Sequence, residues 1–234
     1  TELKNLEEKY YESQKLAAVG QLSAGIAHEV RNPLSSIKMS LQILEKRIKP
    51  SGNDLKRFKI AEREVEHLEK LVNDVLIFAR PSAPKKEPSD IKGILEHALA
   101  MAEKSVSDKQ IQVVKRFEKK IPLLEADPAM LEQAFLNVYH NAIDAMETKG
   151  TLLISSKRLS RDSEYVVVEI DDNGCGIEKE DLARLVNAFF TKKRYGTGLG
   201  LSQVKKIIEL HEGTVEILSK EGEGTRFRVT LPIG

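Results

Sequence analysis

From Leu34 onward the apolar positions fall at Ile37, Leu41, Leu44 and Ile48, steps of three and four that keep one stripe along a helix. The run breaks at "KPSGND", which carries turn chemistry and offers Asn53 or Asp54 as a cap for a second helix. The stripe of that helix takes in Leu55, Phe58, Val65, Leu68, Val72 and Val75. Two long helices joined by a short turn form a hairpin, and one hairpin leaves much of its apolar stripe wet. A second copy would close it into a four-helix bundle, so the pattern predicts a homodimer. Upstream, Leu3, Leu6 and Tyr10 continue a weaker helical stripe.

The stretch "ARPSAPKKEPSD" puts three prolines into twelve residues, which no helix interior tolerates. It predicts a linker at residues 81–89 between a first domain at 1–80 and a second at 90–234. Beyond it the period alternates. Helical patterns at 90–107 and 128–148 are interleaved with β-rich runs: "IQVVKRF", "TLLISSKR", "YVVVEIDD", "TVEILSK" and "TRFRVTLP". Strands that often follow one another directly argue for a mixed sheet covered by helices rather than a doubly wound parallel sheet.

A chain of 234 residues accommodates two domains of ordinary size. Lys and Arg number 37 against 36 Asp and Glu, so no global field draws the chain to nucleic acid or anionic lipid, and any phosphate site must be local. Cys175 is the single cysteine, which removes a disulfide framework and fits a reducing compartment. No apolar run reaches the roughly 18 residues of a membrane helix, and "TELKNLEEKYYESQ" is too charged for a signal peptide. The expectation is a cytoplasmic segment without membrane contact, whose parent protein can still be membrane-anchored.

Within "AGIAHEVRNPLSSI", Arg31 and Asn32 return to the helix face of His28, with Glu29 beside it. Pro33 crowds the Glu29 carbonyl and predicts a bend there. Taken alone, these residues also describe an ordinary solvated face. In "LNVYHNAIDAM" the amides of Asn137 and Asn141 stand four apart, on one face of a helix. "VEIDDNGCGI" ends a strand in an acid followed by Gly-x-Gly, where missing side chains allow close approach of a ligand and Asp172 could accept from an amino group. "GTGLGL" opens a helical run, a place where backbone N–H groups suit phosphate, and "FFTKKRY" puts Lys192 and Lys193 on a short loop just before it. Neither a P-loop nor a dinucleotide fingerprint is present.

In this order the motifs resemble the catalytic core of a bacterial two-component sensor histidine kinase. "HEVRNP" is similar to its histidine box, "NVYHNAIDAM" to its asparagine box, "DDNGCGI" and "GTGLGL" to its glycine boxes, "NAFFTKK" to its phenylalanine box and "GEGTRFRVTLP" to its closing strand turn. The short basic lid and "NAIDAM" look most like the nitrogen-regulation branch. The chain departs from the pattern at Ala188, where proline is usual, and at Glu212, where a second glycine is usual.

The resemblance implies an α plus α/β architecture. A helical-hairpin dimerisation and phosphotransfer domain, a four-helix bundle in the dimer, would precede an α/β sandwich of the gyrase, Hsp90, histidine kinase and MutL type. By it, His28 would take the γ-phosphoryl group of ATP, Glu29 would act as its base, and Asn32 would orient water for dephosphorylating a response regulator's receiver domain. Asp172 would read the adenine amino group, Asn141 with Asn137 would hold Mg²⁺, and Gly196, Gly198, Gly200, Lys192 and Lys193 would cradle phosphate. Gly174, Gly176, Phe190, Thr197, Leu199, Leu201 and Thr225 complete the implied ATP site. One rival is a gyrase- or Hsp90-type ATPase switch. It needs a glutamate base four residues before the metal-binding asparagine, and Asn137 stands there instead. A non-catalytic signalling scaffold is the other.

Overall fold

The computed structural model describes residues 30–79, 83–159, 164–185, 187–193 and 196–233. Helix α1 is described over 30–48 and α2 over Gly52–Ala79. Between them, Lys49 takes a left-handed conformation (φ 47°) and donates its N–H to Glu45 O at 3.0 Å, which ends α1. The predicted cap shifts forward. Helix α2 starts at Gly52, Ser51 O accepts from the N–H groups of Asp54 and Leu55, and Asn53 and Asp54 lie inside the first turn.

The antiparallel register of the hairpin is marked by ion pairs. Lys38 Nζ meets Glu69 at 3.0 Å and Glu66 at 3.6 Å, and further along the hairpin Lys59 Nζ meets Glu45 at 2.7 Å. Such exposed pairs set alignment more than stability. Leu34 and Val65 are buried, whereas Ile37, Leu44, Ile48, Leu55 and Leu68 from the two predicted stripes remain exposed. A single hairpin therefore leaves the stripes wet, as their pattern predicts. The bend expected at the Glu29 carbonyl lies outside the described residues.

The chain divides into two compact units. One contains the hairpin and Lys192–Leu199; the other runs from Ala83 without that stretch. The second unit opens with β1 (Glu87–Ser89), followed by α3 (Ile91–Met101), α4 (Glu103–Asp108), β2 (Gln112–Phe117), β3 (Leu124–Ala126), α5 (Pro128–Ala145), β4 (Thr151–Arg158), β5 (Tyr165–Asp172), α6 (Lys179–Leu182), α7 (Gly200–Leu210), β6 (Thr214–Lys220) and β7 (Gly224–Pro232). The main sheet has the order β2-β4-β5-β7-β6, with β2 and β4 parallel and the other pairs antiparallel. It is the mixed sheet the alternating periods predict.

The segment read as linker ends in structure. Glu87–Ser89 pairs antiparallel with Leu124–Ala126, a two-stranded sheet too short for periodicity to reveal. Just before it, Lys85 N–H donates to Asp127 Oδ2 at 2.9 Å, and Lys86 Nζ reaches Glu212 Oε1 at 2.7 Å.

Helices α3, α5 and α7 form one layer against the sheet, with α5 touching both of the others and strands β5 and β7. Strand β5 explains the geometry through its period of two: Val166, Val168 and Ile170 enter the core, while Glu169 and Asp171 face the opposite side. On that outer face Arg228 bridges Glu169 and Glu216, and Arg226 grips Asp171 with two nitrogens. Helix α5 is closed at both ends. Asp127 Oδ1 accepts from Met130 N–H at its start, and Lys109 Nζ donates to the carbonyls of Ile143 and Met146, each at 2.7 Å, at its finish.

Candidate nucleotide site

Asp172 belongs to the inward row of β5, after Val166, Val168 and Ile170, at a place where alternation calls for an apolar side chain. Burial holds its carboxyl above the usual carboxylate range, opposed by N–H donation from Gly174 and Thr225. The Gly174 bond is 2.9 Å from Asp172 Oδ1, and Thr225 is the register partner of Asp172 on β7. A desolvated acceptor at a strand end suits an amino group arriving from outside.

The glycines at 174 and 176 have packing reasons of their own. A Cβ on Gly174 would stand 2.7 Å from Ala145 O, and the Cys175 N–H donates to that same carbonyl at 3.0 Å. Gly176, at φ 68°, leaves no room for a side chain beside the Lys220 carbonyl, and Gly222 N–H donates to Cys175 O. The sequence pattern predicts that these glycines let a ligand approach; on the side where a Cβ would point, protein backbone already stands. Gly200 differs: a Cβ there would meet nothing within 4 Å.

Asn137 and Asn141 lie on one face of α5, both half-buried, away from the core row of Leu131, Phe135, Val138 and Ile143. Asn137 Nδ2 donates to Gln203 Oε1 at 3.1 Å, joining α5 to the first turns of α7. Phe190 is half-buried, with the Arg184 guanidinium 4.5 Å from its ring centre. Phe189 beside it is exposed and left-handed (φ 66°), next to Ala188 where the family pattern has proline.

The second unit thus contains Asn137, Asn141, Asp172, Gly174, Gly176, Phe190, Gly200, Leu201 and Thr225. Lys192, Lys193, Gly196, Thr197, Gly198 and Leu199 group with the other unit. In that loop Gly196 N–H donates to Lys193 O at 3.1 Å, Leu199 N–H to Thr197 Oγ1 at 3.4 Å, and Gly198 is left-handed at φ 69°. Asn32 is exposed on α1, its carbonyl accepting from Ser36 Oγ at 3.1 Å. His28 and Glu29 lie outside the described residues. Sequence reasoning missed Gln203, which stands four residues before Ile207 on the same buried face of α7. An amide interrupting that apolar stripe is the signal that could have found it.

Two family patterns match the chain. The one described as "His Kinase A (phospho-acceptor) domain" covers residues 18–84, and "Histidine kinase-, DNA gyrase B-, and HSP90-like ATPase" covers residues 126–234. Sporulation kinase E of Bacillus subtilis (strain 168) is 35% identical over 233 residues, which is 100% of this chain and 31% of that protein. Sensor histidine kinase ZraS of Escherichia coli (strain K12) is 32% identical over 228 residues, 97% of this chain and 48% of that protein. Among solved structures, full-length ShkA in complex with AMPPNP superposes with a TM-score of 0.75 at 28% identity, covering 92% of this chain and 46% of that one. The chain therefore spans about a third to a half of the curated relatives it matches. It belongs to the bacterial two-component sensor histidine kinases, and it carries both the phosphoacceptor and the ATPase-type part of their catalytic core.

Proposed function

We propose that the chain transfers the γ-phosphoryl group of ATP to His28 and passes it to an aspartate on the receiver domain of a response regulator. It works as a homodimer and also dephosphorylates that regulator. In the first step a ring nitrogen of His28 attacks phosphorus, the bond from phosphorus to the bridging oxygen breaks, and ADP leaves. Glu29 holds the proton of the other ring nitrogen and raises the nucleophilicity of the first. Asn32, an exposed amide four residues after His28 in the sequence, orients water in the dephosphorylation step.

The observation that carries this reading is the amide at position 137. Hydrolytic relatives need a carboxylate there to take a proton from water, whereas Asn137 is neutral and engaged with Gln203. Water activation is unprovided for, and the same chain supplies a nucleophile in a phosphoacceptor domain.

Asp172 accepts from the adenine amino group, beside the N–H groups of Gly174 and Thr225. Gly174 and Gly176 hold this strand end in place; Gly200 and Leu201 open α7 toward the phosphates, and Phe190 closes the site's edge. Lys192 and Lys193 supply charge, with Gly196, Thr197, Gly198 and Leu199 shaping the lid around the phosphates.

Asn141 and Asn137 would hold Mg²⁺, with the remaining ligands left to phosphate and water. The donor set fits a hard cation that keeps most of its ligands from phosphate and water. Among the described residues there is no cluster of His, Cys, Asp and Glu to compete as a metal cage. Bound there, the cation would supply charge to neutralise that developing on the phosphates.

Incubation with γ-labelled ATP and Mg²⁺ tests the reading. Label that is acid-labile, base-stable and absent from His28→Gln supports it; acid-stable label, or label retained in His28→Gln, overturns it.

A further inference from the structure

Gln203 is the odd residue of α7. Its neighbours Val204, Ile207 and Ile208 are core residues, and Gln203 is itself only 2% exposed. Its Oε1 accepts from Asn137 Nδ2 at 3.1 Å, while its Nε2 is buried without any hydrogen-bond partner. A buried amide with one end unsatisfied is unfavourable, and methionine or leucine would fill the same space without that penalty. An apolar residue would lose the hydrogen bond to Asn137.

That bond has a directional consequence. A side-chain amide is planar, and its oxygen and nitrogen diverge from one carbon, so rotating it by half a turn exchanges a donor for an acceptor. With Nδ2 turned to Gln203 Oε1, the Oδ1 of Asn137 faces the other way, as a cation ligand must. With the opposite orientation Asn137 would present N–H groups, which repel a cation. Among the described residues the Asn137 amide makes this one side-chain hydrogen bond.

We infer that Gln203 is a positioning residue for the metal site: it fixes the amide of Asn137 so that Oδ1 faces Mg²⁺, and touches neither cation nor nucleotide itself. The inference rests on the assignment of Asn137 and Asn141 to Mg²⁺ proposed above. It also explains why α5 and α7, which carry the amides and the phosphate-facing glycine, are joined by an amide–amide bridge beside the apolar contacts of Val204, Ile207 and Ile208.

The test is calorimetric binding of ADP to the full chain across a Mg²⁺ titration, with no turnover required. Gln203→Met keeps the volume and removes the acceptor. It should raise the Mg²⁺ concentration for half-maximal stimulation of binding by about 10-fold or more, the usual scale for losing a partner behind a metal ligand. Affinity measured in chelator should stay as in the unsubstituted chain. Combining Gln203→Met with Asn137→Ala should be no worse than Asn137→Ala alone, because both remove one interaction. Additive effects, an equal loss with and without Mg²⁺, or no change in Gln203→Met would each overturn the inference. If Asn137→Ala and Asn141→Ala themselves leave the Mg²⁺ dependence intact, the metal assignment fails instead. A thermal unfolding midpoint for Gln203→Met at or above that of the unsubstituted chain separates these outcomes from damage to the fold.

Discussion

The backbone N–H of Asp127 donates to Nε2 of His211 at 2.9 Å, and Nδ1 of the same ring lies 2.8 Å from Ile207 O. The two bonds assign the proton to Nδ1, because Nε2 is already an acceptor. A buried imidazole thus pins the end of α7 to the cap of α5. His211→Ala would leave the Asp127 N–H without its partner and open a cavity, while Ile207 O keeps the backbone N–H of residue 211. The expected loss is roughly 2 to 4 kcal/mol of stability, checked by denaturant unfolding of the second unit's transition.

Asp172 sets binding against stability. Its folded pKa is raised, chiefly by burial, so between the unfolded and folded values the folded chain binds more protons than the unfolded one. Its contribution is least unfavourable in acid, and stability falls as pH rises through that window. Asp172→Asn should therefore raise the unfolding midpoint at neutral pH, with the gain shrinking as pH drops below the folded pKa. The same change should weaken ATP by roughly 1.5 to 3 kcal/mol, since the amide is no longer a pure acceptor. Thermal melts across pH and nucleotide titration measure the two effects.

Glu212 occupies the left-handed region at φ 59°, which explains why the family pattern has glycine there. Its exposed carboxylate meets Lys86 at 2.7 Å. Relief of backbone strain outweighs the loss of so exposed a pair. Glu212→Gly should melt at a higher temperature than the unsubstituted chain, as scanning calorimetry would record.

The exposed hairpin face gives a different test. Leu44 is 42% exposed in the single chain and lies on the stripe that a second copy would cover. The unsubstituted chain should sediment as a dimer at micromolar concentration, and Leu44→Glu, which places a charge in that seam, as a monomer.

Two substitutions beside His28 should part company. Glu29→Ala should slow label incorporation by about 10²-fold, the scale of losing a general base, and leave regulator dephosphorylation much less affected. Asn32→Ala should do the reverse, because an amide that orients water has no part in the attack on ATP. Equal damage to both rates by both variants would refute the division of roles.

The five long strands are legible in the sequence because each is a run rich in β-formers with a turn at its end, from "YVVVEIDD" to "TRFRVTLP". The hairpin is legible from its stripe, even though Ile37 and Leu44 stay exposed in one chain. Three-residue strands such as Glu87–Ser89 have no period to read, and Pro88 disguises that one as linker. In the candidate site, spacing singles out the motif residues, but it does not find the partner of Asn137. Gln203 lies 66 positions away, and only the packing of α5 on α7 brings the two amides together. The glycines of "DNGCGI" stand out in the sequence as a place for close approach of a ligand, and the structure adds a packing reason of its own, since the positions a Cβ would take are filled by Ala145 and Lys220.

That filled space limits how the base pocket proposed at Asp172 can change. The backbone after Asp172 is wedged between the last carbonyl of one helix and the tip of a β-hairpin, so it cannot shift to enlarge or reshape the pocket without separating both. A variant selected to read guanine, which presents a carbonyl where adenine has its amino group, would have to exchange side chains at Asp172 or Thr225 on an unmoved main chain. Loop remodelling is closed to it, and the reachable base alphabet is set by the few acceptors and donors those two positions can carry.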